Sequence, residues 1–99
     1  MANIVKPTAS INTPAIASAA TALAANTSRQ GWFLQNLGTN ALFVLLGTGA
    51  STTVFHTILE PGIGNDDGKG AAVSQTEGVV FTGAITIAGT SPRYTVTEM

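Results

Sequence analysis

The chain has 99 residues, of which 44% are hydrophobic and only 9% charged, with a net charge of −1, one histidine and no cysteine. That length fits one domain, and the absence of cysteine excludes disulfides and thiolate metal sites. Four scattered Lys and Arg residues form no basic stripe of the kind nucleic acid requires, and no apolar run approaches the ~20 residues of a helical membrane span.

Residues 1–14 hold Pro7 and Pro14 among Thr, Ser and Asn. Proline disfavours helix at and before its own position, so this stretch is expected to be an extended arm. Residues 15–25, AIASAATALAA, contain A-x-A patterns like those of signal cleavage sites. Lys6 is the only cation before them, and Pro7, Asn12 and Pro14 interrupt the approach. The segment therefore reads as an arm leading into a first strand rather than a signal peptide. Alanine favours helix, and about two or three turns would fit here. The alternation of Thr21, Leu23 and Ala25 with small residues, closed by the turn Asn26-Thr27-Ser28, favours strand instead.

In residues 28–47, two apolar stretches at 32–37 and 41–46 flank Gly38-Thr39-Asn40. The pattern predicts a β-hairpin. Trp32, Leu34 and Asn36 share one face and Phe33, Gln35 and Leu37 the other; Leu42, Val44 and Leu46 oppose Phe43 and Leu45. Both arms are apolar on both faces, more than a small domain covers by itself. Trp32, Phe33, Phe43 and Leu45 are therefore candidate interface residues, to be covered by residues 15–25 or by a neighbouring subunit.

Residues 47–52 read as a loop. Residues 53–60, TVFHTILE, read as a third strand, with Phe55, Thr57 and Leu59 opposite Val54, His56 and Ile58. Pro61-Gly62 stops it, and the glycine-rich stretch 62–70 is a long exposed loop. A short edge strand is expected at 71–75. Residues 79–88 alternate cleanly, placing Val79, Phe81, Ile85 and Ile87 on one face, with Gly83 marking a bulge or a close approach. After the turn at 89–92, residues 93–98 form a last strand with Tyr94 and Val96 inward. The expected fold is all-β: a small β-sandwich or jelly-roll-like barrel of six to seven short antiparallel strands, with residues 1–14 as an extended N-terminal arm and 15–99 as a single domain.

Few residues offer chemistry. His56 lacks a recognisable nucleophile motif, and an imidazole packed in or beside a sheet explains it better than catalysis. One histidine without cysteine forms no closed transition-metal site. Asp66 and Asp67 are weak candidates for a hard cation such as calcium, but Asn65-Asp66-Asp67-Gly68 does not follow the EF-hand spacing and is first of all a turn. The glycines at 47–49 and 62–70 do not form a phosphate loop. Trp32 and Tyr94 would make a carbohydrate-stacking platform only if exposed, and Trp32 lies in the most apolar strand. Arg29 and Arg93 each precede a strand and are candidates for pairing with carboxylates of a neighbouring subunit. No catalytic residue and no cofactor is assigned.

The series A-N-T-S-R at 25–29, W-F-L-Q-N-L-G-T-N-A-L-F-V-L-L-G at 32–47 and A-G-T-S-P-R-Y-T-V-T-E at 88–98 resembles small virion proteins of tailed bacteriophages, of the capsid cement or decoration type and related head or tail components. The resemblance spans about residues 20–98 and is one of pattern: alanine-asparagine, arginine, an apolar strand ending in Q-N, a glycine turn, an apolar strand ending in glycine. It implies a β-sandwich or jelly-roll-like fold and a symmetric homo-oligomer, expected to be a trimer. It further implies a place on the phage particle surface against the major capsid protein or another virion protein, after assembly in the host cytoplasm. It transfers no catalytic residue. The low charge and surplus apolar β-surface suit a subunit whose exterior is occupied by neighbours, with residues 1–14 reaching across to one of them. The alternative within the same class is a tail, fibre or head-fibre module that meets the host surface or glycans through Trp32 and Tyr94.

Overall fold

The computed structural model describes residues 9–13 and 18–99. Within them lie eight strands: β1 Ala9–Thr13, β2 Ala19–Leu23, β3 Trp32–Asn36, β4 Leu42–Leu46, β5 Thr57–Leu59, β6 Ala72–Gln75, β7 Ile85–Gly89 and β8 Tyr94–Glu98. They form two four-stranded sheets, ordered β1-β8-β3-β6 and β2-β7-β4-β5, with every strand pairing antiparallel. The first strand pairs with the last, the second with the seventh, the third with the sixth and the fourth with the fifth. That nesting is the roll-up of a jelly roll. The eighth strand comes from the expected arm, where the backbone of β1 pairs with β8 in a register from Ala9↔Glu98 to Thr13↔Tyr94. Residues 1–8 and 14–17 of the sequence lie outside the described residues.

The core fills the space between the sheets. Trp32 and Leu34 of β3 and Tyr94 and Val96 of β8 face Leu42 and Val44 of β4 and Ile85 and Ile87 of β7, with Leu23 and Leu59 beside them. Each pair is two residues apart because side chains alternate across a strand. Burying such a side chain contributes roughly 1.5–3 kcal/mol.

The apolar stretches at 32–37 and 41–46 do not pair as a hairpin. β3 lies in one sheet between β8 and β6, and β4 in the other between β7 and β5. Residues 37–41 are a corner that carries the chain from layer to layer. Asn36, fully buried, builds the corner. Its Nδ2 donates to the carbonyls of Asn40 and Leu59, both at 2.9 Å, and its Oδ1 accepts the Gly38 N–H at 2.8 Å. The backbone of the corner bonds outward, Leu37 N–H to Arg93 O and Gly62 N–H to Gly38 O. Two strands with large apolar faces gain more by opposing those faces across a core than by lying side by side in one sheet.

Two other strands are shorter than the sequence suggests. The third expected strand shrinks to β5, because residues 53–56 belong to an excursion over the outer face of its sheet. There Ala50 N–H donates to Thr86 Oγ1, which in turn donates to Gly47 O, and the Phe55 ring meets Phe43 edge-on at 5.1 Å. Residues 79–84 leave the ladder altogether, and Val79 is 92% exposed. The carbonyls of Phe81 and Gly83 are taken by Arg29 and that of Thr82 by the Asn26 N–H. Gly83 does mark a close approach, but to the Phe81 ring rather than to another backbone. β2, the edge strand β6, and β8 with Tyr94 and Val96 inward stand as the sequence suggests.

Candidate functional site

Arg29 is spent inside its own chain. Its side chain is completely buried, and its Nε meets Glu98 Oε2 at 2.8 Å. Nη1 donates to Phe81 O and Gly83 O, and Nη2 to Ala24 O. The guanidinium fork suits this task because it offers five donors in one plane. Glu98 also accepts from Asn26 Nδ2. The expected partner of Arg29, a carboxylate on a neighbour, is thus a carboxylate at the end of β8.

Arg93 behaves alike at the opposite end of β8. It grips Asp66 through two hydrogen bonds of 2.7 and 2.6 Å. The guanidinium holds the Asp66 carboxyl below its ordinary range, and the carboxylate raises Arg93 in turn. Asp67 turns to its own loop and accepts the N–H groups of Ile63, Gly64 and Lys69. Those bonds, led by Gly64 and Lys69, lower its carboxyl as well. The two candidate cation ligands are therefore engaged by internal donors, and among the described residues no three acidic or imidazole groups gather around a common point.

His56 is exposed and closes the excursion between β4 and β5. Its N–H donates to Val44 O at 2.7 Å, and its Nδ1 accepts the Leu46 N–H at 3.1 Å. Both partners are backbone groups of β4, one bonded to the His56 main chain and one to its ring, so the residue fixes the path of this loop. Trp32 and Tyr94 are 1% and 3% exposed. That burial corrects the expectation of a carbohydrate platform, because neither ring face is free to stack.

Among the described residues, two surface features bear on binding. The outer faces of the sheets carry apolar side chains: Phe33 on the first, and Phe43 and Ile58, paired across strands, on the second, with the Phe55 ring against Phe43. The second feature is a cleft of about 230 Å³ between the edges of β5 and β6, lined chiefly by Trp32, Val44, Leu46, His56, Thr57 and Val73. Gln75 sits at its end, its Oε1 accepting both the Trp32 indole N–H and the Phe81 N–H at 2.9 Å.

The chain matches no family model, no curated protein and no solved structure. Of the candidate interface residues, the structure places Phe33, Phe43 and Leu45 at the outer faces and Trp32 in the core, and it uses Arg29 and Arg93 as internal clasps. Sequence reasoning missed the cleft and the polar hubs Asn36 and Gln75. Asn36 did carry a signal, since it shares a face with Trp32 and Leu34, and a polar residue on a core face needs partners.

Proposed function

We propose that this protein is a structural subunit of a tailed-bacteriophage particle, a capsid cement protein that self-associates and binds the outside of the head. The observation that carries the reading is the pairing of apolar outer sheet faces with a charge-poor chain whose arginines are both bound internally. Phe33, Val54, Phe55 and Ile58 are 39%, 51%, 36% and 42% exposed. Phe55 and Ile58 both border Phe43 on the outside of one sheet, and clustered exposed apolar side chains mark an interaction surface. The jelly roll is used by viral capsid proteins and by lectins alike, so the fold supports the reading by compatibility alone. The role is a binding one: added buried area resists the outward pressure of packaged DNA, and no catalytic group takes part.

Co-sedimentation with empty heads of the parent phage tests it, alongside light scattering of the free protein. Saturable binding and a mass above that of the monomer are expected. A monomer at micromolar concentration that stays in the supernatant would sink the assignment.

A further inference from the structure

The open side of the sandwich between β5 and β6 joins two features that belong together. β6 pairs only with β3 and is the last strand of its sheet. Among the described residues its other edge pairs with no strand, and no charge or proline lies between residues 70 and 76 to guard it. Edge strands without such guards are templates for another strand. Immediately beside that edge lies the 230 Å³ cleft, floored by apolar side chains. A cavity of about 150 Å³ accepts a benzene ring, so this one accommodates an aliphatic side chain. An edge plus a side-chain pocket is the arrangement by which sheets take up extended peptides: the main chain supplies affinity and the pocket supplies selectivity.

The chain itself contains a segment of the right kind. Residues 2–6, Ala-Asn-Ile-Val-Lys, lie outside the described residues and place Ile4 and Val5 side by side. Successive side chains of a strand point to opposite faces, so one of the two must face the cleft in any register. The segment cannot serve its own cleft. It precedes Ala9, which shares a row with Glu98, Trp32 and Gln75 across the sheet. The vacant position beyond β6 is four strand spacings from β1, roughly 19 Å at ~4.8 Å each. Ile4 stands five residues before Ala9 and reaches at most about 18 Å when fully extended. That span would also be used up crossing the strands, leaving nothing to run along β6.

We infer that the β5–β6 side is an acceptor slot for a second copy of this chain: residues 2–6 of one protomer add as an antiparallel strand beside β6 of the next, and Ile4 or Val5 fills the cleft over Trp32. Donor and acceptor are different surfaces, so the contact is head-to-tail and closes into a ring when the rotation permits. The inference rests on the reading of the protein as a self-associating subunit and is independent of the particle it binds.

The full-length chain and two full-length variants test it. Ile4→Asp with Val5→Asp removes the donor side chains from a segment outside the described residues, and Thr57→Phe fills the cleft from its wall. Light scattering is expected to give a multimer for the parent and the 10.0 kDa monomer for both variants. A synthetic peptide of residues 1–8, added to the Ile4→Asp/Val5→Asp protein, is expected to change the emission of Trp32, the only tryptophan, saturably. The same peptide is expected to leave the emission of the triple variant carrying Thr57→Phe unchanged. Masses of both variants equal to that of the parent, a monomeric parent, or an emission indifferent to the peptide would each overturn the slot. If the parent assembles through the slot yet ignores capsids, only the particle assignment fails. If it binds capsids while its assembly survives both substitutions, only the slot fails.

Discussion

At the residue scale, two polar side chains do work that the linear sequence conceals. Arg29 gathers Glu98 and the carbonyls of Ala24, Phe81 and Gly83 around one buried guanidinium. Replacing it by methionine roughly keeps the volume and takes the donor away from Glu98 Oε2 and from three carbonyls. Removing one partner of a buried pair costs about 3–5 kcal/mol. Arg29→Met is therefore expected to lower the urea midpoint strongly with an unchanged slope, and Arg29→Lys to recover little, since an ammonium cannot span four acceptors. An Arg29→Met protein as stable as the parent would show that the clasp contributes nothing net. Nothing in the order of residues announces this site. Arg29 and Glu98 are 69 positions apart, and an arginine just before a strand looks like a surface residue until the fold brings the strand end to it. Trp32 was the opposite case: its alternation with Leu34 and Asn36 gave its inward face directly.

At the scale of elements, period-two alternation gave the inward faces of β3, β4 and β8, because a strand buried on one face must show it. Partnership was not legible. The corner at 37–41 reads as a hairpin turn in sequence, and only the bonds of Asn36 to Asn40 and Leu59 send the chain to the other sheet. The alternation at 79–84 was misleading for the same kind of reason: Arg29 and Asn26 take the carbonyls that a ladder would need. Entry into β6 depends on Gly70, where an added Cβ would collide with the Asn36 carbonyl. Gly70→Ala must push the edge strand away from the corner, and overpacking of this kind costs about 1–3 kcal/mol. Hydrogen exchange is expected to quicken in β6 and the corner together, while the β2–β7 ladder is unchanged. The loop at 62–69 should respond to acid. Asp66 and Asp67 both bind protons less readily in the folded loop than in the unfolded chain. Their contribution is accordingly present above the ordinary carboxylate range and lost as pH falls through the lowered folded values. Melting temperatures between about pH 6 and pH 2 should fall more steeply for the parent than for Asp67→Asn, which has no carboxylate to protonate. Equal slopes would mean that the loop is uncoupled from folding.

At the scale of the whole molecule, the distribution of charge predicts how assembly depends on solvent. Both arginines are committed within the protomer, Arg29 to Glu98 and Arg93 to Asp66. That leaves Lys6 and Lys69 as the chain's remaining side-chain cations. Attraction between exposed charges is screened within about 3 Å at 1 M salt and reaches about 14 Å at 0.05 M. An interface built from charges would therefore loosen steeply across that range. The surfaces offered here are the apolar side chains on the outer sheet faces and the backbone edge of β6 above its cleft, and neither depends on ionic strength in that way. Excluded salts such as sulfate strengthen apolar contacts, and cooling weakens them. The mass of the full-length protein by light scattering is expected to be unchanged from about 0.05 to 1 M sodium chloride, to rise or hold in ammonium sulfate, and to fall on cooling at limiting concentration. Dissociation at high salt would point to Lys69 pairing across the contact, and would move the search for the interface from the sheets to the loops.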